Sequence, residues 1–175
     1  MSRIYKPHPV KLIIGFIFKD PVDLRKAKAI LTKAFGRIDF ESRLIPFDYT
    51  DYYEKEMGVG LQREFISFQR LIPPDKLAQI KILANKLEEK LSLNSRRTIN
   101  IDPGYLDMAK LLLASTKNYA HRIYLSKGIF AEITLFYKDR SFRPWDWTYP
   151  DYRTEEYIQI FNKIRDIYAR QINNT

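Results

Sequence analysis

The order of elements readable along the chain predicts an α+β fold: a ferredoxin-like split βαβ sandwich (βαββαβ) extended by a helix, a β-hairpin and a C-terminal helix. Three observations carry this. The continuous apolar run Val10 to Phe18 has the pattern of a strand buried on both faces. Two helix starts, Asp20-Pro21 and Pro73-Pro74-Asp75, each open a stretch with apolar residues three and four apart. Runs of β-type composition near Ile38, Phe65 and Thr98 complete the order β-α-β-β-α-β, which puts two helices on one face of an antiparallel sheet.

Residues 1 to 9, with Pro7 and Pro9, read as an irregular arm before the central strand. Asp20 caps the first helix, Leu24, Ala27, Leu31 and Ala34 form its inner stripe, and Gly36 stops it. Ile38 and Phe40 alternate with Asp39 and Glu41, so a strand follows towards Pro46. Phe47 to Gly60, FDYTDYYEKEMGVG, is a polar and aromatic connection, a loop or one helical turn. Leu61 to Leu71 resumes β-type composition. Leu77, Ile80, Ala84, Leu87 and Leu91 then hold the strictest helical spacing in the chain. After the Ser92 to Arg97 loop and a strand at Thr98 to Ile101, Asp102-Pro103 reads as an N-cap and first helical residue. Met108, Leu111, Leu112 and Ser115 carry that helix to Thr116. Ala120 to Leu125 and Ile129 to Tyr137 flank Ser126-Lys127-Gly128 as a hairpin, and Thr154 caps a last helix with Tyr157, Phe161, Ile164 and Tyr168 on its inner side.

With 175 residues the chain has the length of a single globular domain with one substantial core. It has no cysteine, which excludes disulfides, thiolate metal sites and cysteine nucleophiles. It shows no signal-peptide pattern and no apolar run of membrane-spanning length, so a soluble cytoplasmic protein without membrane partners is expected. The net charge is +9, and one acidic island, Asp48, Asp51, Glu54 and Glu56, interrupts an otherwise basic first hundred residues. A basic surplus favours anionic partners, and a lysine-rich solvated surface gives the same total.

Several stretches together resemble a family of uncharacterised bacterial proteins known as domain of unknown function 4416. They are Pro9 to Gly15, IDFES at 38–42, FDYTDYYEKEMG at 47–58, NIDPGYL at 100–106, LLLASTKNYAHRIYL at 111–125 and WTYPDYRTEEY at 147–157. The resemblance covers nearly the full chain and implies no activity, although some members carry the label GTP-binding protein. The residues do not support a P-loop GTPase. There is no G-x-x-x-x-G-K-[ST] run, Gly58-Val59-Gly60 lacks a third glycine, and Asn85-Lys86-Leu87-Glu88 departs from a guanine-reading NKxD at its last place.

Three constellations remain. Asp48, Asp51 and Asp102 each follow an expected strand end. Together they could hold a magnesium ion that bridges substrate phosphates, or each could serve a cap or turn. Lys110, Lys117, His121 and Arg122, with Arg97 and with Tyr105 beside the Asp102 turn, supply phosphate donors, an aromatic ring and a proton carrier. Ordinary surface pairing and a structural histidine are the alternatives. On a regular strand His121 and Arg122 point to opposite faces. Tyr49, Tyr52, Tyr53, Trp145, Trp147, Tyr149 and Tyr152 suit stacking on bases or covering a core.

The expectation is a protein that binds a phosphorylated small molecule or nucleotide between the Asp48 to Gly60 loop and the ends of the Asp102 to Lys117 helix. Catalysis there would be metal-assisted phosphoryl or nucleotidyl chemistry, with Asp102 and His121 as the catalytic pair. A non-catalytic RNA-binding module and a protein-interaction domain are the alternatives. Oligomeric state is not readable from the residues.

Overall fold

The structure, a computed structural model, describes residues 3–173. Its strands are β1 (Lys11–Phe18), β2 (Ile38–Glu41), β3 (Ile45–Phe47), β4 (Leu61–Phe68), β5 (Ile99–Leu106), β6 (Lys110–Ser115), β7 (Arg122–Ser126), β8 (Ile129–Lys138) and β9 (Ser141–Pro144). Its helices are α1 (Pro21–Phe35), α2 (Glu54–Met57), α3 (Leu77–Leu91) and α4 (Glu155–Asn173). The fold is α+β. The strands of the described residues form one sheet in the order β2-β4-β1-β5-β6-β8-β7, with β3 beside β4 and β9 beside β8. Neighbouring strands are antiparallel throughout. No helix among the described residues is long and apolar enough to cross a membrane.

The apolar run of β1 explains its central place, because every one of its residues is buried. Alternate side chains go to opposite faces. Leu12, Ile14, Phe16 and Phe18 meet Leu24 and Leu31 of α1 and Ile80 and Leu87 of α3, while Ile13 joins Phe65 and the Phe161 and Ile164 rungs of α4. Helices α1 and α3 thus share one face and α4 covers the other. Local signals hold where they were read: Asp20 accepts a 2.7 Å hydrogen bond from the Val22 N–H at the start of α1. Lys127 and Gly128 both take positive φ, 53° and 77°, as a two-residue hairpin turn requires.

The expected helix from Pro103 to Thr116 is absent, and Asp102 is not an N-cap. Strand β5 continues through Asp102-Pro103 to Leu106, and β6 follows after a three-residue turn. Pairing decided the matter: β5 lies against β1 over its whole length, from Lys11↔Leu106 to Phe18↔Ile99. In the spacing that mimics a helix, Leu111 goes into the α4 core and Leu112 into a separate cluster with Leu77 and Ala78 of α3, which is a strand's alternation. The capping aspartate of this region is Asp107, whose Oδ1 accepts from the N–H groups of Ala109 (2.7 Å) and Lys110 (2.9 Å) in the turn.

The sheet forks between β5 and β6. Their ladder holds at Gly104↔Leu113, Tyr105↔Leu112 and Leu106↔Leu111 and goes no further. Beyond it β6 stays with β8 as far as Ser115↔Phe130, and β5 stays with β1. The edge of β5 left open by the fork is satisfied by side chains from α3. The Ile101 N–H donates to Glu88 Oε1 (2.6 Å), and the Ile101 carbonyl accepts from Lys81 Nζ (3.1 Å). Pro103, two residues on, has no N–H to leave unpaired where the ladder stops.

Candidate functional site

The fork opens into a cleft of about 660 Å³. One wall is β5 with Asn100 and Asp102 and the preceding Arg97; the other runs from Leu113 through Lys117, backed by Arg122 and Glu132. Lys81, Asn85 and Glu88 of α3 close one side. Tyr49, Tyr52 and Tyr53 from one loop and Tyr149, Asp151 and Tyr152 from another form the lips. The two aromatic loops and Asp102 therefore border a single cleft.

Along the β5 wall runs a chain of polar contacts. Arg97 donates to Glu56 Oε2 (2.7 Å) and to Asn100 Oδ1 (3.1 Å), and Asn100 Nδ2 donates to Asp102 Oδ2 (2.7 Å). Arg63 Nη1 lies 3.4 Å from that same oxygen, while Arg63 Nη2 donates to Asp151 Oδ2 at 3.0 Å. Arg63 reaches across the sheet because Gly15 leaves it room: a Cβ there would stand 3.0 Å from Nη1 and 2.9 Å from the Phe65 ring. Phe47, Phe65, Tyr152 and Tyr157 surround the guanidinium at 5.0 to 5.9 Å. Burial works against its charge, but Tyr152, Tyr157, Asp151 and Asp102 more than offset this, so its pKa lies above the usual arginine value. Burial pushes Asp151 up despite Arg63. Arg63 Nε and the Tyr152 and Tyr157 hydroxyls are buried without a hydrogen-bond partner among the described residues, so the cleft floor holds three unpaired polar atoms in and around one guanidinium.

The opposite wall is organised by Arg122. Its guanidinium holds Glu132 (2.9 Å), Ser115 Oγ (2.8 Å), the Lys117 carbonyl (3.1 Å) and Tyr149 Oη (2.9 Å), and it lies 4.5 Å over the Tyr119 ring. With every donor engaged and only 2% of its side chain exposed, Arg122 positions the Lys117 segment rather than meeting a ligand. Lys117 itself is exposed at the mouth, with Nζ 4.5 Å from the Tyr52 ring centroid and no carboxylate within 4.0 Å among the described residues.

The other residues singled out by sequence separate. Asp48 and Asp51 are exposed on the lip loop and do not line the cleft. Among the described residues no group of three or more Asp, Glu, His or Cys side chains is placed to hold a metal, so the Asp48, Asp51 and Asp102 trio does not assemble. Lys110 pairs with Asp107 at 2.9 Å away from the cleft, and Tyr105 packs between the α3 clusters. His121 stands outside the cleft, stacked on Trp147 at 5.7 Å with Nε2 3.1 Å from Glu132 Oε2. It precedes β7, so both it and Arg122 reach the same carboxylate. Arg63, Lys81, Glu88, Glu132 and Asp151 were missed. For four of them the signal was a charge inside a run otherwise patterned for burial, Arg63 in LQREFISF, Lys81 and Glu88 next to the apolar stripe of α3 and Glu132 in IFAEITLFY, while Asp151, in a polar and aromatic loop, carried none.

Burial is the largest influence on Glu88 and pushes its pKa up to about 7, against the lowering effect of Lys81, the Ile101 N–H and Arg97. A carboxyl raised above its ordinary 4.5 contributes most to stability below that value, and the contribution is lost as pH rises through the folded-state pKa. Glu88→Gln keeps an oxygen for the Ile101 N–H and removes the titration. It is expected to lose part of the decline in melting temperature that the parent shows between about pH 4.5 and pH 7. Thermal melts across that range check this, and identical pH profiles for the two proteins would refute it.

The chain belongs to the family described as Domain of unknown function (DUF4416), which matches residues 8–168. No curated protein and no solved structure matches it.

Proposed function

We propose that the forked cleft binds a phosphorylated small molecule of nucleotide size, with tyrosine rings at the lips stacking on its flat portion and Lys117 and Arg97 taking its phosphates. The observation that carries this reading is Lys117, an accessible cation at the mouth with no carboxylate partner among the described residues, facing Arg97 across the Tyr52 and Tyr53 rings. The cleft volume of about 660 Å³ lies within the range of small-ligand sites. A magnesium ion caged by the chain alone does not fit. Asp102 already accepts from Asn100 and faces Arg63 and Lys81, which repel a cation. Magnesium would enter only in company with phosphates. The β2-β4-β1-β5 unit with α1 and α3 supports a ferredoxin-like core, and a phosphorylated metabolite as ligand supports a cytoplasmic setting.

Calorimetric titration of nucleoside triphosphates, with and without magnesium, tests the reading. The parent is expected to bind, and the exposed Lys117→Ala to bind about tenfold more weakly, the worth of one charge-assisted hydrogen bond. No binding tighter than millimolar in any condition, or parent-like affinity in Lys117→Ala, would remove it. A gradual loss of RNA affinity over many Lys and Arg substitutions would favour an RNA-binding module instead.

A further inference from the structure

Both accessible cations of the cleft are contacted by one short segment, and Arg97 is also held from the other side by Asn100 Oδ1 (3.1 Å) and Glu88 Oε2 (3.7 Å). Arg97 Nε and Nη2 meet Glu56 Oε2 at 2.7 and 2.5 Å, and Lys117 Nζ lies 3.4 Å from Tyr52 Oη. The Tyr52 and Tyr53 rings, 5.0 Å apart and edge to face, span the distance between them. The segment's ends do not lift easily: Phe47 and Met57 are buried with Ile17 and Leu61. Exchange therefore takes place at the side chains, and the Glu56 half of the pair is 47% exposed, so solvent screens it and a ligand can displace it.

We propose that Glu56 and Tyr52 are place-holders for a polyphosphate chain, and that the ligand of the cleft is a di- or triphosphate, not a monophosphate. The inference rests on the reading of the cleft as a phosphate site. The two cations stand on opposite walls, so a single phosphate group takes one of them and leaves the other with its place-holder. A phosphate chain takes both and repays the loss of the Glu56 contact with charge-assisted bonds of its own.

The test is calorimetry at fixed ionic strength with inorganic tripolyphosphate and inorganic phosphate, on the parent, Glu56→Gln and Glu54→Gln. Glu54 is exposed and has no side-chain partner among the described residues, so its substitution removes the same charge without releasing a cation. Glu56→Gln is expected to bind tripolyphosphate about two- to fivefold more tightly than the parent, the range of an exposed ion pair, and Glu54→Gln to stay within about twofold. Unchanged or weaker binding by Glu56→Gln, with the parent still binding, overturns the place-holder and leaves the cleft reading standing. Phosphate bound as tightly as tripolyphosphate overturns the ligand class. Absence of tripolyphosphate binding in every protein overturns the inference, and the nucleoside triphosphate titration decides separately whether the reading beneath it falls as well.

Discussion

Gly104→Ala is expected to destabilise the fold by more than about 3 kcal/mol and to lower the melting temperature by roughly 10 °C. A Cβ built on Gly104 would stand 2.2 Å from the Leu112 carbonyl oxygen and 2.8 Å from a Leu113 methyl. Backbone cannot step aside as a flexible side chain can, and this backbone belongs to the three-pair ladder that joins β5 to β6. Relief requires breaking the ladder at the fork. Gly128→Ala is the comparison. Gly128 takes a positive φ of 77° but has nothing within 4 Å of its would-be Cβ, so its cost is a conformational one of about 1 kcal/mol. Denaturant melts of the two variants check the ranking, and a Gly104→Ala protein as stable as Gly128→Ala would show that the ladder gives way without penalty.

Arg63→Met carries the second large effect, about 3 to 5 kcal/mol at neutral pH. The side chain is 3% exposed and stands between Asp102 and Asp151, so its removal leaves a buried carboxylate, Asp151, without its cation. The loss is expected to depend on pH with a definite sign. Burial already raises the Asp151 pKa and Arg63 opposes that rise, so the variant raises it further. A raised folded-state pKa stabilises at low pH and ceases to do so as pH climbs through it, so Arg63→Met recovers towards acid. Adding Asp151→Asn to Arg63→Met should return much of the stability at neutral pH. If the double variant is no better than the single one, packing of the arginine among its four rings, and not the stranded charge, accounts for the loss.

The elements that the sequence revealed are those whose periodicity and pairing agree. The β1 run, the Asp20 helix, the α3 stripe and the Ser126 to Gly128 turn each carry a local signal that tertiary contacts reinforce. Asp102 to Thr116 was illegible because two signals conflict there. Asp-Pro followed by apolar residues three and four apart favours a helix locally, while a whole edge of β1 waits for a partner strand, and eight ladder pairs outweigh one cap. The site divides in the same way. Lys117, Arg97, Arg122 and Asp102 line the cleft and were read from their loops and junctions, though Arg122 positions its neighbours and Asp102 sits in a strand. Arg63, Glu88 and Asp151 escaped because a buried charge and a solvated one look alike until the partner is known, and their partners lie 88, 13 and 88 positions away.

A sheet whose halves are joined through three residue pairs bends most easily at that joint, and the fork gives the bend a direction. Flexing that spreads β5 from β6 would move the Arg97 wall away from the Lys117 wall, so bending at this joint is coupled directly to the width of the cleft. Two helices brace that joint: α3 on the cleft side, packed on Ile99 and Ile101 of β5 and on Leu112 and Ala114 of β6, and α4 on the far face, packed on Ile13 and Phe65 of one half-sheet and on Leu111, Leu135 and Phe142 of the other. The C-terminal helix thus acts as a leaf spring across the joint, and mutations along its buried stripe should tune how far the cleft breathes without touching any residue that lines it.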